Sequence, residues 1–459
     1  MKYILNPGIA LRSWWYVPCA YYIRGEYEAK KLQKGEFDFL SLCDGETDLP
    51  ENEIAASLKA RGFIREARPC ERMNDWQRAK FCNNRYFPHA SLMLTGKCNY
   101  NCLHCFNAAD NARLQSEFTL EEAETLFTQM ETCGINALTL TGGEPMMHPH
   151  FMDVVRSAQR HHIFLNELNT NGSFITQEIL DEMKEAGCRP YMKISYDGTG
   201  HHDWLRHHSG AEQDALRAIR LCKENGFRVM AQTNVHRRNA DVMLPTAKLL
   251  DSMGVDAIRI IRTSESPRWA QNAGDSCLAI EEYFDRMTEF CGEYIKTGCK
   301  MDVIIWQFLR LYPGSRQYAL VGYSEGEYRD SIPVCKGNRG KVAIAANGNV
   351  FPCHQMSGIY EKNGDILGNV KRDGLQPLLQ GGKYLCEVCT TVKELREKNP
   401  ACGKCEWFPY CCGGCRAIGL ALTGDKMGVD KSKCIFYKKG YPKKIAEALP
   451  GYTPLTRIP

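Results

Sequence analysis

Residues 91–105 read SLMLTGKCNYNCLHC. The first five residues form a mostly apolar, β-prone run, and a glycine turn then leads into a loop that carries thiols at Cys98, Cys102 and Cys105. A strand that delivers three cysteines to one short loop suits a 4Fe–4S cluster, because three thiolates hold three irons and leave the fourth without a protein ligand. A zinc site of the same three cysteines, completed by His104 or His89, is the competing reading.

Outward from that loop, short β-rich runs alternate with amphipathic helical stretches. The runs are SLMLT (91–95), ALTLT (137–141), IFLNELN (163–169), YMKIS (191–195), RVMAQTNV (228–235) and AIRII (257–261). Helix-like segments such as TLEEAETLFTQMET separate them. That alternation predicts a parallel α/β sheet. Six units are too few for a closed eight-stranded barrel, so the expectation is an open, partial (β/α)6 barrel with its site at the C-terminal strand ends. The barrel is expected over 90–300. Beyond about Met301 the alternation fades, glycine and cysteine increase, and residues 301–459 read as a loop-rich domain held together by metal. Residues 1–70 show an aromatic hairpin-like segment and then two short helices around a turn, the outline of a small winged-helix unit, with 71–89 as linker.

Of 459 residues, 44% are hydrophobic, enough for two or three globular domains. The net charge of +4 comes from 58 basic and 54 acidic side chains, too even a balance for a dedicated nucleic-acid binder. No run approaches the roughly 18 to 20 apolar residues of a membrane span, and Asn6, Pro7 and Arg12 interrupt the apolar opening segment. A cytoplasmic location is expected, where 23 cysteines are better explained as metal ligands than as disulfides.

The spacing CxxxCxxC, with the ring of His104 before the last cysteine, resembles the signature of the radical S-adenosylmethionine superfamily. The resemblance implies that the open iron takes the amino and carboxylate groups of S-adenosylmethionine. It assigns the TGGEP segment (141–145), with Gly142, Gly143 and Glu144, to the methionyl amino group. It assigns Ser195 of SYDG and Arg206 of HHDWLR to the methionyl carboxylate, and Asn169 of NTNG or Asn234 to the ribose or nearby polar groups.

Further on stand Cys335, then Gly348 and Cys353 with four residues between them, then the block CGKCEWFPYCCGGC (402–415), and finally Cys434. This pattern resembles the SPASM extension, in which seven cysteines serve two auxiliary 4Fe–4S clusters. The resemblance implies three clusters in all. It gives Cys335, Cys353 and Cys415 to the nearer auxiliary cluster, and Cys402, Cys405, Cys411 and Cys434 to the farther one. The nearer set is one ligand short, and Cys386, Cys389, Cys412 or an open iron completes it. Paired structural zinc sites are the alternative for this block. The scattered remaining cysteines read as structural.

By the same resemblance, a 5′-deoxyadenosyl radical abstracts a substrate hydrogen and the auxiliary clusters take up an electron, so that the outcome is an oxidation or cross-link. Relatives with this extension modify ribosomally made peptides, and the N-terminal unit resembles domains that capture a precursor's leader as an added strand. The implied partners are a precursor peptide and a reductant such as flavodoxin or ferredoxin. His354, next to Cys353, stands where sulfatase-maturing enzymes place an aspartate, and imidazole suits a proton acceptor there. The alternatives are a small-molecule or protein maturase without a leader, a peptide epimerase, and a non-enzymatic zinc scaffold.

Overall fold

A computed structural model describes residues 1–109, 112–263, 267–322, 328–335 and 340–455. The six expected strands form, within one or two residues of their expected ends, as His89–Met93, Ala137–Thr141, Phe164–Thr170, Tyr191–Ser195, Val229–Val235 and Ala257–Arg262. They are consecutive parallel neighbours in a twelve-stranded sheet. Helices connect them, as right-handed parallel crossovers require. Leu120–Thr132 shows why these segments are helical. Thr119 and Glu122 form a capping box at its start, and Ala123, Leu126, Phe127 and Met130, at helical spacing, are buried in the main core.

Two further strands join the parallel set. Lys341–Ile344 pairs with His89–Met93, and Asp302–Ile305 pairs with Ala257–Arg262. Antiparallel strands Leu309–Tyr312 and Gln317–Leu320 extend the second edge, so the sheet runs past residue 301. Four-residue runs such as KVAI carry too little periodicity to be told from buried loop or helix. The fold is a partial α/β barrel, with an N-terminal winged-helix-like unit and a cysteine-rich C-terminal region.

In the N-terminal unit, Lys2–Leu5 lies between Asp44–Asp48 and Ile64–Glu66, and helices Lys34–Ser41 and Glu53–Ala60 cover the sheet. It has its own core of Tyr3, Leu5, Phe37, Leu40 and Leu58. The hairpin Ile9–Trp15 and Val17–Ile23 turns at Tyr16, at φ 64°. Lys80–Arg85, within the stretch expected as linker, pairs in parallel with that hairpin. The hairpin and the segment after it close the floor of the barrel: Tyr27, after the hairpin, donates to Glu167 Oε1 at 2.9 Å, and Arg12, within it, donates to Asn136 Oδ1 at 3.0 Å. Among the described residues, no helix is long and apolar enough to cross a membrane.

Candidate active site

The cysteine loop leaves the first barrel strand and is held against the segment after the second. Gly143 N–H donates to Thr95 O and Glu144 N–H to Lys97 O, each at 2.8 Å. This contact explains the paired glycines. A Cβ on Gly142 would stand 2.3 Å from Thr95 O, and one on Gly143 would stand 2.0 Å from Lys97 O. Asn107 Nδ2 donates to Gly142 O at 2.6 Å, and Asn99 and Asn171 are bonded at 2.8 Å, tying the loop to the third strand's end as well.

Glu144 is fully buried. Its carboxylate accepts from Asn171 N–H at 2.8 Å, Thr170 Oγ at 2.9 Å and Met146 N–H at 3.2 Å. Burial outweighs those three donors and pushes its carboxyl up to about 7. No cation neutralises this group among the described residues, so a ligand's ammonium fits its chemistry.

On the other side of the loop, Asp197 is buried and accepts from Arg206 Nε at 2.7 Å, Arg206 Nη2 at 3.1 Å and Asn234 N–H at 2.7 Å, while its own backbone N–H donates to His202 Nδ1 at 2.9 Å. Burial alone would raise its carboxyl, but Arg206 above all holds it well below the usual range. Arg206 thus has its fork committed to Asp197 while Nη1 stands 4.0 Å from Cys102 Sγ. Sequence reasoning missed Asp197 as the anchor, although it lies inside the quoted SYDG. Ser195, Asn169 and Asn234 stand at the C-terminal ends of neighbouring strands, half-buried on the concave face, and Asn169 Oδ1 accepts from Gln232 Nε2 at 2.9 Å.

The C-terminal cysteines gather in two sets. Burial raises the Cys415 thiol, and the Cys353 and Cys335 thiols beside it raise it further. Burial and Cys335 likewise push Cys353 up to about 11. The other set is Cys411, pushed up to about 11 by burial and by Cys434, Cys402 and Cys405. Lys433 lies between the sets: burial pushes it down to about 8 against the pull of Asp430, Cys411 and Cys415. Its ammonium donates to Val321 O at 2.8 Å. Seven thiols in groups of three and four fit two clusters, and a shared lysine suits their negative charge. Among the described residues, no three Cys, His, Asp or Glu side chains close around a single metal ion. Cys389 neighbours Arg85 and the exposed Cys386, and Cys412 packs with Val392 and Phe408. Glu387 and Cys335 line one small cavity with Arg416.

His354 Nε2 lies 2.9 Å from Ser91 Oγ and 3.2 Å from Ser91 O on the first barrel strand, and its buried Nδ1 has no partner. Burial, with Lys341 nearby, pushes the imidazole down to about 3 and leaves it neutral.

The family described as the radical SAM superfamily matches residues 92–250, and the iron–sulfur cluster-binding domain SPASM matches 335–406. The AdoMet-dependent heme synthase of Methanosarcina barkeri is 25% identical over 348 residues, 75% of this chain and 95% of the synthase. The mycofactocin maturase MftC of Mycobacterium tuberculosis is 27% identical over 344 residues, 72% of this chain and 80% of the maturase. Streptococcus suis SuiB, in a structure with the precursor peptide SuiA, aligns with a TM-score of 0.67 at 14% identity, covering 94% of this chain and 100% of SuiB. That last likeness shows a shared fold.

Three cysteines at the mouth of a partial barrel with a buried acid beside them make the arrangement of a radical S-adenosylmethionine site, and the chain carries a radical SAM domain over residues 92–250. It also carries a SPASM domain over residues 335–406, and the two domains together indicate iron–sulfur clusters and S-adenosylmethionine binding.

Proposed function

We propose that this chain oxidatively modifies a ribosomally made peptide, forming a thioether or other cross-link after hydrogen abstraction from a substrate carbon. The observation that carries this reading is the N-terminal unit, a separate winged-helix-like fold with its own core, joined to the barrel whose floor it closes. Its support among similar proteins is that SuiB, of the same overall fold, was solved with a precursor peptide, and that MftC is a maturase. Residues 1–70 are assigned to leader recognition, 71–89 to the connection, which also adds a strand to the hairpin sheet, 90–300 to the radical barrel and 301–459 to the auxiliary-cluster domain, whose first strands continue the barrel sheet.

Cys98, Cys102 and Cys105 would hold the first of three 4Fe–4S clusters. Cys335, Cys353 and Cys415 would hold the second, and Cys402, Cys405, Cys411 and Cys434 the third. When bound, these groups and S-adenosylmethionine supply a 5′-deoxyadenosyl radical and an outlet for an electron. Glu144, in the turn made by Gly142 and Gly143, receives the methionyl ammonium. Ser195 faces the methionyl carboxylate, to which Arg206 can offer only the Nη1 edge not engaged by Asp197, and Asn169 or Asn234 faces the ribose or nearby polar groups. His354, with Nε2 held by Ser91, offers Nδ1 as the acceptor for a substrate proton, although burial lowers its basicity to about 3, well below the near-neutral value expected of an imidazole. A low-potential protein such as flavodoxin or ferredoxin supplies the electron that starts the cycle.

A second reading takes its support from the heme synthase relative, which covers nearly all of that protein's length. In that case the substrate is a tetrapyrrole. Anaerobic incubation with reductant, S-adenosylmethionine and either a precursor peptide encoded beside the gene or an iron porphyrin separates the two. A loss of about two mass units from the peptide, dependent on residues 1–70, supports the first reading. Turnover of the porphyrin alone replaces it with the second.

A further inference from the structure

The concave face of the barrel carries two arginines that no acidic side chain neutralises among the described residues. Arg259 faces Gln232 on one neighbouring strand and Ile304 on the other, and Ile304 in turn faces Arg310. The two arginines therefore share a row, two strands apart, with roughly 10 Å between their backbones at the usual strand spacing. Their alternates along the strands, Ile258, Ile260, Leu309 and Leu311, are buried in the core on the opposite face. Both guanidinium groups consequently belong to the face that also presents Ser195, Asn169 and Asn234.

Arg259 stacks 3.8 Å over the ring of Trp306 and donates to Gln232 Oε1 at 3.3 Å, while its Nε is buried with no acceptor. Burial pushes it down to about 10, against the pull of Glu167, so it remains a cation at neutral pH. Lys193, another cation on this face, is in contrast neutralised by Glu167, which also accepts from Tyr27 and Thr139. Glu167 thus has little capacity left for Arg259. A desolvated guanidinium without a counter-charge is costly, and a planar fork against an aromatic ring is suited to a carboxylate.

We propose that Arg259 and Arg310 form a carboxylate-recognition site on the concave face, so that the substrate presents at least one carboxylate to the barrel. This deepens the proposed function and rests on it. The carboxylate can come from an acidic side chain or C-terminus of a peptide, or from a propionate of a tetrapyrrole.

The test is a binding measurement on the anaerobically reconstituted enzyme with two matched pairs of probes. One pair is a short glutamate-containing peptide acid and its glutamine, C-amidated counterpart. The other is coproporphyrin III and its methyl ester. In at least one pair the acid binds about tenfold or more tightly than its neutral partner, and that pair names the source. The ratio falls towards one in the R259Q/R310Q double variant and is partly kept by R259K/R310K. If the double variant does not fold, R310Q alone, on an antiparallel strand, lowers the ratio. Equal binding of acid and neutral forms in both pairs, no binding of either acid, or a ratio untouched by the substitutions overturns the site. Loss of S-adenosylmethionine binding in R259Q assigns that arginine to the cosubstrate and also overturns it. Formation of 5′-deoxyadenosine by the wild type is read alongside; its absence counts against the radical function alone, because the acid-to-neutral ratio needs no reductant.

Discussion

Replacing Glu144 with glutamine should move cosubstrate affinity and apoprotein stability in opposite directions. The folded carboxyl is pushed up from 4.5 to about 7 by burial. Its ionisation therefore opposes folding: stability is full below the unfolded value and is lost as pH rises through 7, by about 3 kcal/mol. E144Q removes that loss, so the apoprotein at pH 8 should melt no lower than the wild type. Binding runs the other way, since only the ionised carboxylate pairs with the methionyl ammonium. Equilibrium dialysis with labelled S-adenosylmethionine should show wild-type affinity about tenfold weaker at pH 6 than at pH 8.5, one proton being taken up below 7. In E144Q the affinity at pH 8.5 should fall about 30-fold or more, the equivalent of roughly 2 kcal/mol or more for removing one partner of a buried charge pair. Its pH dependence should also disappear. A variant that keeps the wild-type slope between pH 6 and 8.5 places the titrating group elsewhere and refutes the reasoning.

Asp197→Asn leaves the Arg206 cation buried without its partner, at a cost of about 3–5 kcal/mol, and should lower the thermal midpoint of the apoprotein. Because the folded Asp197 carboxyl is depressed, its stabilisation is present above about pH 4 and fades below it, so wild type and D197N should converge as the medium is acidified. Unchanged melting at neutral pH contradicts the role given to this pair. Cys415→Ser and Cys434→Ser should each remove about four irons per chain, by iron analysis after anaerobic reconstitution, and the losses should add in the double variant. If either single change empties both sets, the thiols do not form two independent clusters.

Much of the fold was readable in the sequence because barrel strands buried on one face and half-buried on the other leave long, repeated signals between amphipathic helices. ALTLT and YMKIS match their strands residue for residue. The strands Asp302–Ile305 and Lys341–Ile344 were not readable, being four residues long and held by neighbours remote in sequence. Cysteine spacing suggested the division of seven C-terminal thiols into two sets only through family resemblance, and the structure brings the same thiols together. Asp197 and Lys433 were missed for a common reason. An acid next to a glycine and a lysine in a charged helix look solvent-facing, and only the tertiary fold buries them beside Arg206 and the cysteines.

On the proposed function, Cys98, Cys102 and Cys105 present an iron that is free to bind S-adenosylmethionine, and electron paramagnetic resonance with isotope-labelled cosubstrate reads this directly. The dithionite-reduced protein should show a 4Fe–4S signal that shifts on addition of S-adenosylmethionine and couples to its methionyl nitrogen, and C102A should lose that coupling while the auxiliary signals remain. Stoichiometric zinc in place of iron and sulfide, or a reduced cluster blind to the labelled nitrogen, contradicts it.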